Sequence, residues 1–304
     1  MDTAIAAVGL LEAQQALGLD TTGTISMLQT IDWVTLVLTN GISHGYAYDK
    51  TLLNSTWDTF GGESWLIDLV YAAATGEIPP LAYPLPPTAN GSGFIDELAW
   101  LYFPPPCPGD YWEAPWPIYR PQAVYSQTTY FSTNYPTSCL AQLGLFGLSA
   151  GEVPTPSAVA KSQIYQPFGI GGQFSPPVDG VSLLGAPVVV PHYSAMAASV
   201  TSTKAISMWA WLIDEGPFSP LNNVESLIFP ADAASCSADE MDWNELKGSW
   251  NLALQTLGLG RYLAQQRGAM PILWQAMRNN QFLADGYALI GNDCINFLPV
   301  VTNE

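Results

Sequence analysis

The sequence is poor in positive charge. Its 304 residues include 8 Lys and Arg against 26 Asp and Glu, which gives a formal net charge of −18. Clustered cations bind nucleic-acid phosphates and anionic membrane surfaces, so the composition argues against both as partners. Charged residues make up 11 % of the chain and apolar residues 48 %. Because a disordered acidic chain shows the reverse, the composition predicts a globular protein that binds no nucleic acid.

Metal and cofactor motifs are also missing. The two histidines, His44 and His192, are too few for a zinc or di-iron site built from histidine. No P-loop, no Gly-x-Gly-x-x-Gly segment after a strand and no His-Glu-x-x-His segment occurs, and we therefore expect no cofactor and no metal. The four cysteines show no Cys-x-x-Cys spacing and allow three disulfide pairings or none. They are Cys107, Cys139, Cys236 and Cys294.

The chain lacks long apolar runs. No run reaches about 18 residues, so the sequence predicts no membrane span. The N-terminal stretch has no basic region, and Glu12 and Asp20 follow it closely, which is not the pattern of a signal peptide. Few lysines and many Trp and Tyr nevertheless favour an extracellular or periplasmic protein.

What the chain does have is helical periodicity. Trp243, Leu246, Trp250, Leu254 and Leu257 repeat at spacings of 3, 4, 4 and 3, which indicates a helix with one buried face. Similar patterns predict helices at 3–19, 22–39, 62–75, 94–102, 122–148, 192–214, 239–266 and 271–285. Loops rich in Pro and Gly are expected at about 78–93, 103–121 and 153–191.

These elements predict an all-α protein with one domain over residues 1–304. Long helices that alternate with aromatic-rich loops suggest an (α/α)6-type helical toroid, whole or incomplete, in which helical hairpins surround a central cleft. The loops would then build the binding site.

Acidic residues are concentrated in one stretch without cations. Residues 51–119 contain eight Asp and Glu and no Lys or Arg, beside many Trp and Tyr. Aromatic faces cover the C–H-rich faces of sugars and carboxylates accept hydroxyl protons, so this stretch suits a neutral polysaccharide or oligosaccharide. The alternative is a solvated acidic surface.

Asp58 and Glu63 are the first pair of candidate catalytic residues. They are separated by the Gly61-Gly62 turn, which would place Glu63 in the first turn of a helix. Two carboxylates in one cleft are what glycoside hydrolysis needs, and Trp57 beside them is a sugar-stacking candidate. In the alternative interpretation, Glu63 only complements the helix dipole and Asp58 only forms the turn.

The Pro-rich loop before residue 121 supplies a second group. Glu113 is a candidate catalytic acid, and Trp112, Trp116 and Tyr119 are candidate sugar-binding rings on a loop stiffened by proline. The alternative is a loop that covers the hydrophobic core with Trp112 and Trp116.

Three more candidates lie further along the chain. Glu152 follows Phe146-Gly147-Leu148-Ser149-Ala150-Gly151 and stands at the mouth of a long loop, as a candidate catalytic acid. Asp179 and His192 are candidate substrate-binding residues. A histidine next to Pro191 is also interpreted as a structural hydrogen-bonding group that orients a hydroxyl.

The order of several segments resembles the bacterial glucoamylase-like families with an (α/α)-toroid fold. Residues 57–63 before a Leu/Ala-rich helix look like the early helices of those families. Residues 146–152 are similar to their Trp-Gly-Leu-Thr-Ala-Ser-Asp segment, with Glu152 in place of Asp. The remaining similar segments are 166–169, 179–182 with 195–199, 216–222 and 250–262. In the segment 216–222, Ser219 stands where those families have an acid.

The resemblance implies a glycoside hydrolase or transglycosylase that acts on a glucan-like chain through paired carboxylates. A non-catalytic carbohydrate-binding or surface-structural protein on the same fold is the alternative, and the lack of an equivalent to the Asp-Phe-Arg segment of those families favours it. A helical toroid that modifies peptides or isoprenoids would need a metal cluster or an Asp-rich motif, and the sequence shows neither.

Overall fold

The chain divides into two compact units. The first consists of Met1–Thr88, Leu98–Tyr119 and Ala264–Glu304, and the second of Ala89–Glu97 and Arg120–Leu263. The computed structural model describes residues 3–58, 60–80, 91–107, 109–112, 115–152, 165–170, 188–200, 202–214, 224–229, 237, 242–244 and 248–291.

The described residues are mainly helical, with short strands between the helices. The helices are α1 (Thr3–Ala16), α2 (Thr22–Gln29), α3 (Trp33–Leu36), α4 (Gly62–Thr75), α5 (Gly93–Glu97), α6 (Ala99–Tyr102), α7 (Trp116–Asn134), α8 (Cys139–Leu143), α9 (His192–Ala197), α10 (Ser202–Asp214), α11 (Ser249–Gln266), α12 (Ile272–Asn279) and α13 (Gln281–Gly291). The strands are β1 (Val37–Leu38), β2 (Gly41–Ile42), β3 (Ala150–Glu152), β4 (Tyr165–Pro167), β5 (Val188–Val189), β6 (Ser226–Ile228) and β7 (Asp242–Asn244). Among these residues, no helix is both long and apolar enough to cross a membrane.

Helices from both ends of the chain build the first unit. Helix α4 packs against α13 and α1, and α1 also packs against α12. Helix α4 begins at the Gly61-Gly62 turn and ends at Gly76, whose φ of 72° closes the helix in the left-handed conformation. At Gly286 of α13, an added Cβ would lie 2.7 Å from the backbone nitrogen of Ala73, so the two helices are in close contact there.

Aromatic rings fill the core of the first unit. Trp65 lies at its centre, with ring centroids 4.6 Å from Trp100 and 4.8 Å from Phe60. Trp100 in turn lies 4.8 Å from Trp116 with the rings at 76°. These distances and edge-to-face angles are those that aromatic pairs prefer, so the cluster contributes packing energy beyond its buried area.

Helices of the second unit also pack at glycines. An added Cβ at Gly258 of α11 would lie 2.6 Å from the carbonyl carbon of Ala195 in α9. One at Gly93 of α5 would lie 2.0 Å from the ring of Tyr193, which is buried in α9. Two small antiparallel sheets accompany these helices, β3 with β4 and β5-β6-β7.

The structure corrects several predicted helix boundaries. The helix predicted over 22–39 is two helices, because Asp32 accepts a hydrogen bond from the Thr35 N–H and starts α3. The chain then turns back, and Val37–Leu38 pairs with Gly41–Ile42. The helix predicted over 239–266 starts only at Ser249, since 242–244 is a strand paired with β6.

The loop predicted over 103–121 is also too long. Helix α7 already begins at Trp116, although Pro117 and Pro121 follow. Pro117 lies in the first helical turn, where the N–H it lacks would have no partner inside the helix, whereas Pro121 lies inside the helix. Proline content alone therefore overstated the length of this loop.

A buried carboxyl in the first unit predicts pH-dependent stability. Glu12 of α1 is fully buried, and among the described residues neither of its oxygens has a hydrogen-bond partner. Burial raises its pKa well above the ordinary value. The folded state therefore binds a proton that the unfolded chain releases near pH 4.5, and stability is lost as pH rises through the folded pKa.

We expect Glu12→Gln to be more stable than the parent at pH 8, with a difference that shrinks as pH falls towards 5. Urea unfolding at several pH values measures this. The exposed Glu77→Gln is the matched control and should show no such trend. A Glu12→Gln difference that is constant with pH would contradict the burial of an ionisable group.

Two glycines in α11 lead to a second prediction, in which the same substitution to alanine changes stability in opposite directions. Gly258→Ala places a Cβ against the backbone of α9 and should destabilise the protein by about 1–3 kcal/mol. At Gly260 an added Cβ meets nothing within 4 Å, so Gly260→Ala should stabilise by about 0.4–1 kcal/mol. Thermal unfolding of both variants decides this, and equal effects would show that α9 and α11 do not approach closely.

Candidate functional site

Two glutamates of the second unit lie side by side at the ends of short strands. Glu152 ends β3 and Glu225 immediately precedes β6. The Glu152 N–H donates a long hydrogen bond of 3.5 Å to Oε1 of Glu225, and the Ser226 hydroxyl donates to the Glu152 carbonyl oxygen. Glu152 is half-buried and Glu225 is buried. We call this pair the Glu152–Glu225 site.

The start of α11 supports the carboxylate of Glu225. The side-chain amide of Asn251 donates to Oε1. An added Cβ at Gly248 would lie only 2.8 Å from Oε2, so only a glycine lets the carboxylate sit this close. Burial raises the pKa of Glu225, and the charge of Glu152 raises it further, while hydrogen bonds from the backbone and from Asn251 lower it.

One carboxylate oxygen of Glu152, Oε2, is buried without a hydrogen bond in the described part of the chain. A carboxyl with a raised pKa next to a second carboxylate is the pairing that separates a general acid from a general base. The Glu152–Glu225 site therefore contains two carboxyl groups that interact electrostatically.

A buried amide holds the segment that leads into β3. The Gln127 Oε1 accepts hydrogen bonds from the N–H groups of Gly147 and Leu148 at 2.9 and 2.8 Å. Its Nε2 donates to the carbonyl oxygens of Gly91 and Leu148 at 3.1 and 2.7 Å. One side chain of α7 thus fixes the backbone four residues before Glu152.

His192 has a structural hydrogen bond in the same segment. Its Nε2 lies 2.7 Å from the hydroxyl oxygen of Ser149, three residues before Glu152. The imidazole is fully buried, which lowers its pKa to about 3 and keeps it neutral. It contacts a hydroxyl beside the site and is itself buried, and a substrate-binding role for His192 stays a prediction.

A buried ion group lies in the same unit. Arg120 binds Glu97 through two hydrogen bonds of 2.8 and 2.5 Å, and Arg261 approaches the same carboxylate at 3.1 Å. Arg261 also donates to the carbonyl oxygen of Met196 in α9. Burial, together with the charge of Arg120, lowers the pKa of Arg261 to about 10, and it stays charged at neutral pH.

In the first unit, Asp58 and Glu63, which the sequence predicts as a catalytic pair, differ in solvent exposure. Glu63 lies in the first turn of α4, as predicted, and is half-buried. Asp58 is exposed, and Trp57 is half-buried against His44 with ring centroids 4.4 Å apart. Catalytic roles for Asp58 and Glu63 stay predictions.

The three aromatic residues predicted to bind sugar in the loop are core residues instead. Trp112 is 0 % exposed, Trp116 5 % and Tyr119 2 %. The indole of Trp112 donates to Asp68 at 3.3 Å, and that of Trp116 donates to Asp110. Since a stacking ring must be open to its ligand, the core interpretation holds for Trp112 and Trp116, and the sugar-binding interpretation is corrected for all three.

Four of the eight acids in the acidic stretch are buried in the structure. Asp68, Asp96, Glu97 and Asp110 are all buried, so neither a solvated surface nor a sugar-binding face describes them. The predicted residues Glu113 and Asp179 lie outside the described residues. Among the described residues, no group of three His, Cys, Asp or Glu side chains is placed to hold a metal ion.

Sequence reasoning missed Glu225. It lies three residues beyond Asn222, the last residue of the family-like segment 216–222, and it follows no catalytic motif. Its partners Glu152 and Asn251 are 73 and 26 residues away. An acid just before a short apolar segment was the only local signal.

The site generates a prediction about the titration of Glu225. Glu152→Gln removes the neighbouring charge and should lower the pKa of Glu225, whereas Asn251→Ala removes a donor to the ionised form and should raise it. Carboxyl ¹³C NMR titration measures both shifts. Shifts of the same sign in the two variants would show that these contacts do not control Glu225.

Comparison with known proteins gives a likeness of fold. No protein-family model matches the sequence, and no curated protein matches it significantly. Solved structures do. A putative glucoamylase from Bacteroides caccae is 14 % identical with a TM-score of 0.63, and one from Bacteroides uniformis is 11 % identical with a TM-score of 0.63. In both cases the match covers 95 % of this chain and 70 % of the other chain.

An endo-β-1,2-glucanase from Chitinophaga pinensis, solved in complex with sophorotriose and glucose, has a similar structure too. It is 13 % identical over 95 % of this chain and 70 % of its own, with a TM-score of 0.59. At such identities the likeness concerns the fold alone. It confirms the predicted resemblance and fold class: the chain has a helical fold of the glucoamylase-like, (α/α)-toroid kind.

Proposed function

We propose that this protein is a glycoside hydrolase-like enzyme that acts on a glucan chain through the Glu152–Glu225 site. One observation carries the proposal: Glu225, whose pKa is raised by burial and by the charge of Glu152, lies beside a half-buried glutamate whose Oε2 has no hydrogen-bond partner among the described residues. Glu225 would protonate the glycosidic oxygen, and Glu152 would act as the base or nucleophile. The likeness to two putative glucoamylases and an endo-β-1,2-glucanase supports this class of reaction.

Glu63 of the first unit stays a separate candidate from the sequence. It stands at the N-terminus of α4, where the helix dipole favours its charged form. Asp58 and Glu113 stay secondary candidates from the sequence. Glu63→Gln is therefore tested with the two glutamates of the second unit.

Export from the cytoplasm is part of the same proposal. Cys107 and Cys139 are both in disulfide bonds, and the described cysteines include no free thiol. Structural disulfides persist in extracellular and periplasmic compartments.

The test is release of reducing ends from soluble starch, linear β-1,2-glucan and β-1,3-glucan. We expect one of these to be cleaved, and Glu225→Gln and Glu152→Gln each to slow cleavage by about 10²–10⁴-fold. Glu77→Gln, an exposed acid of the first unit, is the control and should keep the parent rate. Full activity in Glu225→Gln would overturn the assignment of the acid.

A non-catalytic sugar-binding protein is the second candidate. The observation that favours it is the set of hydrogen bonds that Glu225 accepts, because they would also hold a purely structural carboxylate. Binding of a glucan without release of reducing ends, by parent and variants alike, would select this candidate.

A further inference from the structure

Helix α11 has a buried face that is largely polar. Its buried residues are Asn251, Leu254, Gln255, Gly258 and Arg261. At 100° per residue these positions fall within about one third of the helix circumference, so they form a single stripe along α11. Buried helix faces are normally apolar, because a polar group without a partner in the protein interior costs free energy. Packing alone does not account for the polar residues of this stripe.

The two ends of the stripe are tied to neighbouring elements of the second unit. At one end, the amide of Asn251 donates to Glu225 of the Glu152–Glu225 site. At the other end, Arg261 donates to Glu97 of α5 and to the backbone of α9. These contacts fix the position of α11, and with it the position of every residue between the two ends.

Gln255, in the middle of the stripe, has no such tie. The residue is only 5 % exposed, and its amide makes no hydrogen bond in the described part of the chain. Its amide atoms still reach solvent, whereas the Oδ1 of Asn251 is sealed inside the protein without a partner among the described residues. A nearly buried side chain that is open only at an unpaired polar tip indicates an opening in front of that tip.

This opening lies one helical turn from the Glu152–Glu225 site. Asn251, which contacts Glu225, precedes Gln255 by four positions, and side chains at this spacing are neighbours with about 5–6 Å between their Cβ atoms. Two more polar atoms here lack a hydrogen bond among the described residues, namely Oδ1 of Asn251 and Oε2 of Glu152. An amide that both donates and accepts therefore lies beside two unpaired acceptors and two carboxyls.

The chemistry of this group of side chains suits sugar hydroxyls. A hydroxyl donates one hydrogen bond and accepts others, so it satisfies carboxylate and amide oxygens as well as an amide N–H. An anion would be repelled by the two carboxyls, and an apolar ligand would leave the amide of Gln255 unpaired. The ligand class that pairs all of these groups is a neutral sugar.

We propose that Gln255 is a substrate-binding residue, whose amide hydrogen-bonds hydroxyls of the sugar unit next to the bond that Glu152 and Glu225 cleave. This role rests on the proposed function and names a residue that holds the glucan in the site. In the free protein the unpaired amide costs folding stability, and the bound sugar supplies the missing hydrogen bonds.

The experiment is affinity gel electrophoresis in soluble starch, linear β-1,2-glucan and β-1,3-glucan. The protein carries Glu225→Gln so that the polymer stays intact during the run. We expect one glucan to retard this protein, and the additional change Gln255→Met to weaken the retardation about tenfold, because methionine keeps the shape and loses the hydrogen bonds. The same change should leave the unfolding temperature equal or higher, since it removes an unpaired buried amide.

Gln266→Met is the matched control, because Gln266 is exposed on the same helix. It should change neither retardation nor the unfolding temperature. Equal retardation of Gln255→Met and its parent overturns the binding role, as does the absence of retardation by every glucan. Weaker retardation together with a lower unfolding temperature overturns it too, because Gln255 would then be a structural residue.

Cleavage is measured separately, with the protein that retains Glu225. Retardation that depends on Gln255 without any cleavage would refute the enzyme and keep the binding residue. Cleavage of a glucan whose retardation ignores Gln255→Met would keep the enzyme and refute the binding residue.

Discussion

The second unit is organised around one buried carboxylate. Glu97 of α5 binds Arg120 of α7 and Arg261 of α11, and Arg261 reaches on to the backbone of α9. Removing one member of such a group leaves an uncompensated buried charge, which typically destabilises a protein by about 3–5 kcal/mol. Four helices therefore share one electrostatic constraint. Helix α11 also supports the Glu152–Glu225 site through Asn251. The position of that site therefore depends on the same constraint.

A chain with few cations must satisfy its other buried acids differently. Only eight Lys and Arg exist, and two of them are used on Glu97. Indole N–H groups take their place at Asp68 and Asp110, a backbone N–H at Asp96, and an amide at Glu225. The abundance of tryptophan thus has an electrostatic as well as a packing role. It also explains why an acid-rich, aromatic-rich stretch has the composition of a sugar site although four of its eight acids and the rings of Trp112, Trp116 and Tyr119 are buried.

Local signals were predictable from the sequence, and distant partners were not. Helix α4 has the predicted bounds because the Gly61-Gly62 turn and Gly76 mark both of its ends. Periodicity failed over 242–244, where pairing with β6 overrides the helical pattern. The burial of Asp68 depends on Trp112, 44 residues away, and Glu97 meets Arg261 at a separation of 164 residues. Such pairs follow from the three-dimensional fold, and no spacing rule indicates them.

The order of the chain has a consequence for synthesis on the ribosome. The first unit contains the earliest and the last residues, and α4 packs against α13, more than 200 positions later. Its aromatic core can form early, but its helical partner α13 is synthesised more than 200 residues later. The second unit ends at Leu263, so all of its segments are synthesised before α13. Contacts of long sequence separation form slowly. While α4 waits for α13, its apolar face is exposed, and this interval is when the growing chain is most prone to aggregate.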